Sequence, residues 1–210
     1  MVMIVGTNLE IGDNIIDNAT SINHSADLGL LARARSDPES LALLYRRHYD
    51  AIFRYCVHRF FDREAAEDVT SEVFLNAVRK FESFDGTDEQ KFRNWLYRIA
   101  TNAVNNHLRK LARRNKMLTS FGRSASIIYD SQHEFENTNS EKMVILNQAM
   151  ASLKPRYQTI ITMRFFENLK LTEIAEILDS KPATVRTQLS RALAELRNKI
   201  TVSRKGIDHE

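Results

Sequence analysis

The chain has 210 residues, with 43% hydrophobic and 27% charged side chains, enough for one or two domains that each bury a modest core. Its single cysteine, Cys56, excludes an internal disulfide and a cysteine-based structural zinc site, and no apolar run approaches the length of a bilayer span. Only six Gly and three Pro interrupt a chain rich in Leu, Ala, Arg and Glu, which favours helices over strands. Residues 1–14 lack a basic segment and are not read as a signal peptide, so a cytoplasmic protein without membrane insertion is expected.

Residues 1–24 show no sustained period and are read as a leader of unassigned role. Asp37-Pro38 then marks a helix start: an aspartate cap, followed by proline where its missing N–H costs nothing. Leu41, Leu44, Tyr45, Ile52, Tyr55 and Cys56 follow at helical steps. Asp62 is placed to cap a second helix, with Ala66, Val69, Val73, Leu75 and Val78 as its expected buried face. Phe81 to Glu89, with Asp85-Gly86, reads as a loop. A third helix from about Phe92 is expected to bury Phe92, Leu96, Ile99, Ala103 and Leu111. The first domain thus spans 25–114.

Residues 115–139, rich in Ser, Asn and Thr, are read as a flexible linker. A second domain of short helices is expected over 140–203, one of them opened by Pro155, and residues 204–210 as a polar tail. The fold class predicted is all-α, with two small helical domains joined by that linker.

Within the second domain, residues 171–178 and 182–200 form two helices meeting at Asp179-Ser180-Lys181-Pro182. Ile174, Ile177 and Leu178 face inward from the first, and Val185, Leu189, Ala192, Leu196 and Ile200 from the second. The opposite face of the second helix presents Arg186, Thr187, Ser190, Arg191 and Ala194, with Gln188 also at an outer position. Arginine can donate twice to a guanine edge or hold phosphates, and short hydroxyl side chains allow close approach to a major groove. A helical hairpin with a merely solvated basic face has the same periodicity.

The net charge of +3 conceals a segregation. Asp62 to Glu89 holds nine acidic residues against three basic ones, whereas Lys91 to Lys116 holds eight basic residues and no acid. Such a pattern suggests two partners, one of them a polyanion. His48, His58 and His107 fall at no metal-ligand spacing, and neither a metal nor another cofactor is expected.

Two strings narrow the reading. The first joins Glu67-Asp68-Val69-Thr70-Ser71-Glu72-Val73-Phe74 with residues 92–102, from Phe92 to Asn102. It resembles region two of the extracytoplasmic-function sigma factors of the sigma-70 family. The second, residues 171–178 followed by 184–193, is similar to region four of that family. The resemblance implies a non-enzymatic initiation factor that binds core RNA polymerase, directs it to promoters and helps melt the minus-ten region. Asp68, Glu72 and Phe74 would contact the clamp helices of the largest polymerase subunit, and region four the flap of the second-largest subunit. Arg98, Asn102, Asn105, Arg109 and Arg113 form one stripe that, with Asp85 and Trp95, would meet the minus-ten DNA. Thr184, Arg186, Thr187, Gln188, Ser190 and Arg191 would meet the minus-thirty-five element, and an anti-sigma factor is a possible further partner.

Trp95 could stack on a base or belong to the core, and Arg98 could pair with the acidic second helix instead. Lys170 stands where many relatives carry a Ser or Thr cap, which predicts a weak cap at a cost of about 1 kcal/mol. The competing functions are a stand-alone helix-turn-helix regulator and a nucleic-acid-processing enzyme. The latter would need metal-binding carboxylates or a placed nucleophile, and no such constellation is legible.

Overall fold

The computed structural model describes residues 29–120 and 141–207, and among them every regular element is helical. After a short helical stretch at 29–33 come α1 (Pro38–Phe60), α2 (Arg63–Lys80) and α3 (Glu89–Ser120). The second half contributes α4 (Glu141–Ala151), α5 (Pro155–Ile161), α6 (Leu171–Ile177) and α7 (Pro182–Ile207). The leader 1–24 lies outside the described residues, as does most of the expected linker.

The starts follow from local chemistry. Asp37 accepts from the N–H groups of Glu39 and Ser40, with Pro38 in the first turn of α1. Asp62 accepts from Ala65 at the start of α2, and Asp88 from Lys91 at the start of α3. α1 stops at Phe61, a non-glycine residue at φ 53° whose N–H bonds the Val57 carbonyl. α3 runs to Ser120, through the point where the linker was expected to begin. No Gly or Pro lies between Thr87 and Phe121, so polar composition alone did not end it. α7 likewise continues to Ile207, beyond the expected end at Ile200 and into the expected tail.

α1, α2 and α3 wrap one core through Leu44, Ile52, Tyr55, Val69, Val73, Leu96 and Val104, all buried. The expected face of α2 is corrected in part: Leu75 and Val78 are 52% and 50% exposed, and the buried residues are Ala66, Val69, Thr70, Val73, Phe74 and Ala77. A step of two residues in a helix turns through about 200°, so Leu75 cannot share a face with Val73. Leu111 on α3 and Tyr45 on α1 are also more exposed than expected, at the same 38%. In the second half, α7 packs against α4, α5 and α6 over Ala149, Met150, Leu153, Ile161, Ala192 and Leu196.

The two halves touch. Ile160, Met163, Leu169, Ile174, Ile177 and Val185 belong to the same apolar cluster as the core of the first three helices. α6 lies against α3, and the segment after α5 lies against α1. That segment, Thr162–Phe166, is a single π-helical turn, closed by the Glu167 N–H on the Thr162 carbonyl. The extra residue per turn delivers Glu167 to the seam between the halves.

Candidate nucleic-acid interface

On α3, Arg98, Asn102, Arg109 and Arg113 are exposed and Asn105 is half-buried, so the predicted stripe lies along one side of the helix. Asp85 is exposed at the tip of the preceding loop. The loop is more ordered than its sequence suggested, with a 3-10 turn at Phe81–Ser83 and Phe84 buried behind it. The Phe84 ring sits 5.5 Å from Phe92 and 5.0 Å from Trp95, centroid to centroid, and the Phe84 carbonyl accepts from Arg35 at 2.7 Å. Gly86 is what lets this ring in: a Cβ there would lie 2.2 Å from it. Trp95 is half-buried against Phe84 and Phe92, a wall of the core with one side left open.

Two residues of the stripe are already engaged, which the sequence did not foretell. Arg98 donates at 2.6 Å to the backbone carbonyl of Glu176, at the end of α6, and not to the acidic second helix. Asn105 accepts at 3.3 Å from Arg59, a guanidinium only 1% exposed that also donates to Thr159 of α5. Neighbours join this seam. Asn94 donates to the Glu176 carboxylate at 2.9 Å, Gln90 to Glu173 at 2.8 Å, and Arg93 forms an ion pair with Glu173. Glu167 accepts from Tyr97 at 2.9 Å and from Arg54 at 3.3 Å. Burial pushes the Glu167 carboxyl above its usual range against the pull of both donors, and pushes the Tyr97 phenol up as well. His58 stacks on Phe166 at 4.1 Å, and burial, aided by Arg54, holds its pKa below the ordinary imidazole value. No spacing rule marks these partners in the sequence, because the pairs that join the two halves lie 70 or more residues apart.

On the helix-turn-helix, Asp179 at φ 48° makes the turn and the Ser180 N–H bonds the Ala175 carbonyl at 2.8 Å. Ile174, Ala175, Ile177, Val185 and Ala192 are buried between the helices and their neighbours. Thr184, Arg186, Thr187, Ser190 and Arg191 are exposed along one side of α7. Gln188 is half-buried and accepts from Arg156 at 2.7 Å, which also fixes Ser180 at 2.8 Å. The start of α6 is better served than Lys170 implied. Lysine cannot accept, but the Lys170 N–H donates to Glu173 at 2.6 Å, so half of a capping box is present.

The acidic face of α2 is open. Asp68 and Glu72, one turn apart, are exposed, with exposed Leu75 beside them. Phe74 is not on that surface; it is 5% exposed, its ring 4.3 Å from Tyr45 and 5.8 Å from Tyr49. Cys56 is buried, and burial pushes its thiol up to about 11. Among the described residues no cluster of three or more His, Cys, Asp or Glu could hold a metal ion, and no helix is long and apolar enough to cross a membrane.

Among the described residues, an all-helical fold with an exposed basic helix in one half and a helix-turn-helix in the other is of a class that DNA-binding proteins use. Comparison with known proteins makes this specific. The sigma-70 region 2 profile matches residues 44–114 and the sigma-70 region 4 profile residues 143–196. RNA polymerase sigma factor YlaC of Bacillus subtilis is 31% identical over 170 residues, covering 80% of this chain and 95% of that protein. The ECF RNA polymerase sigma-E factor of Haemophilus influenzae is 32% identical over 182 residues, covering 83% and 95%. The fold is that of the sigma factor RpoE solved with the anti-sigma factor NepR from Bartonella quintana, at a TM-score of 0.58 and 20% identity over 79% of this chain and 96% of that one. The chain belongs to the extracytoplasmic-function group of the sigma-70 family and acts as an RNA polymerase sigma factor.

Proposed function

We propose that this sigma factor holds promoter DNA at two points and core polymerase through α2. The observation that carries the reading is the coexistence, in one chain, of an exposed basic side on α3 and an exposed Arg-and-hydroxyl side on α7. Asn102 and half-buried Asn105 supply hydrogen bonds to base edges of the minus-ten strand, while Arg98, Arg109 and Arg113 hold its phosphates. Asp85 and the face of Trp95 border the place where an extruded base would sit. Thr184, Arg186, Thr187, Gln188, Ser190 and Arg191 read the minus-thirty-five element in the major groove.

Asp68 and Glu72 meet the basic side of the polymerase clamp helices, and Phe74 serves from below by pinning α2 to α1. The flap of the second-largest subunit takes the region four half. Residues 25–114 and 140–203 carry the two working units, joined through 115–139, with α3 continuing to Ser120 and α7 to Ile207 past those bounds. The polymerase supplies the chemistry, so no catalytic residue, metal or cofactor is asked of this chain, and its place of work is the cytoplasm. The sigma factor RpoE, which has this fold, is solved with the anti-sigma factor NepR, which supports an anti-sigma partner here as well.

In vitro transcription with core polymerase over a promoter library tests the reading. Core-dependent initiation at a defined promoter class is expected, and initiation no higher than with core alone would sink it. Asn102→Ala should change base preference within the minus-ten element and leave the affinity for core polymerase intact.

A further inference from the structure

Arg35 lies ahead of α1, in the turn between the helical stretch 29–33 and the Asp37 cap. That turn is fixed on both sides. Leu30, Leu31 and Ala34 are buried in the core of the first half, and the Ala34 N–H bonds the Leu30 carbonyl at 2.9 Å. The Ser36 and Asp37 N–H groups both return to the Arg33 carbonyl, at 3.0 and 2.9 Å, and Asp37 then caps α1. The backbone of Arg35 thus has little freedom. Its exposed side chain crosses to the loop before α3 and donates to the Phe84 carbonyl at 2.7 Å. A charged donor makes the stronger kind of hydrogen bond. Phe84 precedes the loop tip, and both of its backbone groups are engaged. Its N–H bonds the Phe81 carbonyl at 3.0 Å, its ring packs against Phe92 and Trp95, and its carbonyl is taken by Arg35. The peptide joining Phe84 to Asp85 is planar and trans, so aiming its carbonyl at Arg35 aims the Asp85 N–H the opposite way. Arg35 therefore sets the plane from which Asp85 departs. Ser83 bonds locally to Lys80, whereas the bond from Arg35 spans 49 positions and ties the loop to the turn ahead of α1.

We propose that Arg35 is a positioning residue for promoter recognition: by holding the Phe84 carbonyl it sets the loop tip at Asp85 against the place of the extruded base. It acts through the loop and not by holding a phosphate. The role rests on the reading that Asp85 and Trp95 border that base.

The test pairs base preference with the behaviour of the loop. Core polymerase carrying the full chain transcribes from promoters randomised across the minus-ten element. Arg35→Met keeps much of the side chain's length and removes its donors. It should flatten the preference at one position of the element about fivefold, the worth of a single hydrogen bond, with the affinity for core polymerase unchanged. Arg35→Lys, still a charged donor, should restore most of that preference. Arg33→Met removes the same charge from an exposed neighbour and should leave the preference unaltered. In the full chain without polymerase, hydrogen exchange over residues 81–90 should run about fivefold faster in Arg35→Met than in the parent. Uniform weakening across all minus-ten sequences would mark a phosphate contact and overturn the proposal. Unchanged exchange over 81–90 would overturn it as well. Asp85→Ala separates the two levels. If it flattens one position and Arg35→Met flattens none, the positioning role fails alone; if neither does, the reading of the loop fails with it. If Arg35→Met does not fold, Arg35→Gln, a neutral donor of shorter reach, decides by the same two readouts.

Discussion

At the scale of single residues, position in the packing matters more here than residue type. Gly86 has no unusual conformational task; its importance is the Phe84 ring that occupies the space of its missing side chain. That ring is held by Phe92, Trp95 and Phe81-linked backbone, so it cannot swing clear. Gly86→Ala is expected to cost about 1–3 kcal/mol by overpacking, read as a lower midpoint in urea unfolding. Because the displaced ring touches Trp95, the same variant should weaken minus-ten recognition more than it weakens polymerase binding. His58 offers a second residue-level prediction. Its pKa is lowered from 6.5 in the folded chain, so the neutral form is favoured there. The stabilisation is present above 6.5 and is lost as pH falls through the lowered value. Glu167, pushed upward, acts in the opposite sense, its charged form costing stability as pH rises through the raised value. Comparison with a variant isolates the histidine: between pH 7 and pH 5 the parent should lose more thermal stability than His58→Gln, with equal loss counting against the assignment.

At the scale of elements, the starts of helices were legible and their ends were not. Asp37-Pro38 and Asp62 cap where their chemistry requires. Ends depended on residues without a local signature: Phe61 in a left-handed conformation, and α3 and α7 continuing through polar sequence. The π-helical turn at Thr162–Phe166 is equally silent in the sequence, because no residue type demands the wider turn. The buried face of α2 was half legible: Ala66, Val69 and Val73 keep helical spacing, whereas Leu75 and Val78 were included for being apolar. α6 yields a prediction of its own. Its start has one half of a capping box, the Glu173 side chain on the Lys170 N–H. Lys170→Ser would supply the other half, and a gain of about 0.5–1 kcal/mol in unfolding free energy is expected. No gain would indicate that Glu173, shared with Arg93 and Gln90, is too committed to the seam to complete the box.

At the scale of the whole molecule, two surfaces were legible for one reason and the seam was hidden for another. The basic stripe of α3 and the outer side of α7 repeat at helical spacing, so local periodicity exposes them. The seam joins arginines near residues 54–98 to glutamates near 167–176, and nothing local couples two such distant segments. Part of the predicted DNA face is therefore also an intramolecular contact face, and only the folded arrangement reveals the double use.

Trp95 carries a last consequence. It is the chain's sole tryptophan, half-buried against Phe84 and Phe92 and flanked in sequence by Asn94, which bonds Glu176 across the seam. The emission spectrum of the unlabelled protein thus reports on one small neighbourhood, where the loop before α3, the docked helix-turn-helix and the proposed base pocket converge. A change in hydration of the indole would shift the colour of its emission, and a nucleobase stacked on it would lower its brightness. The molecule comes with its own optical gauge of that neighbourhood.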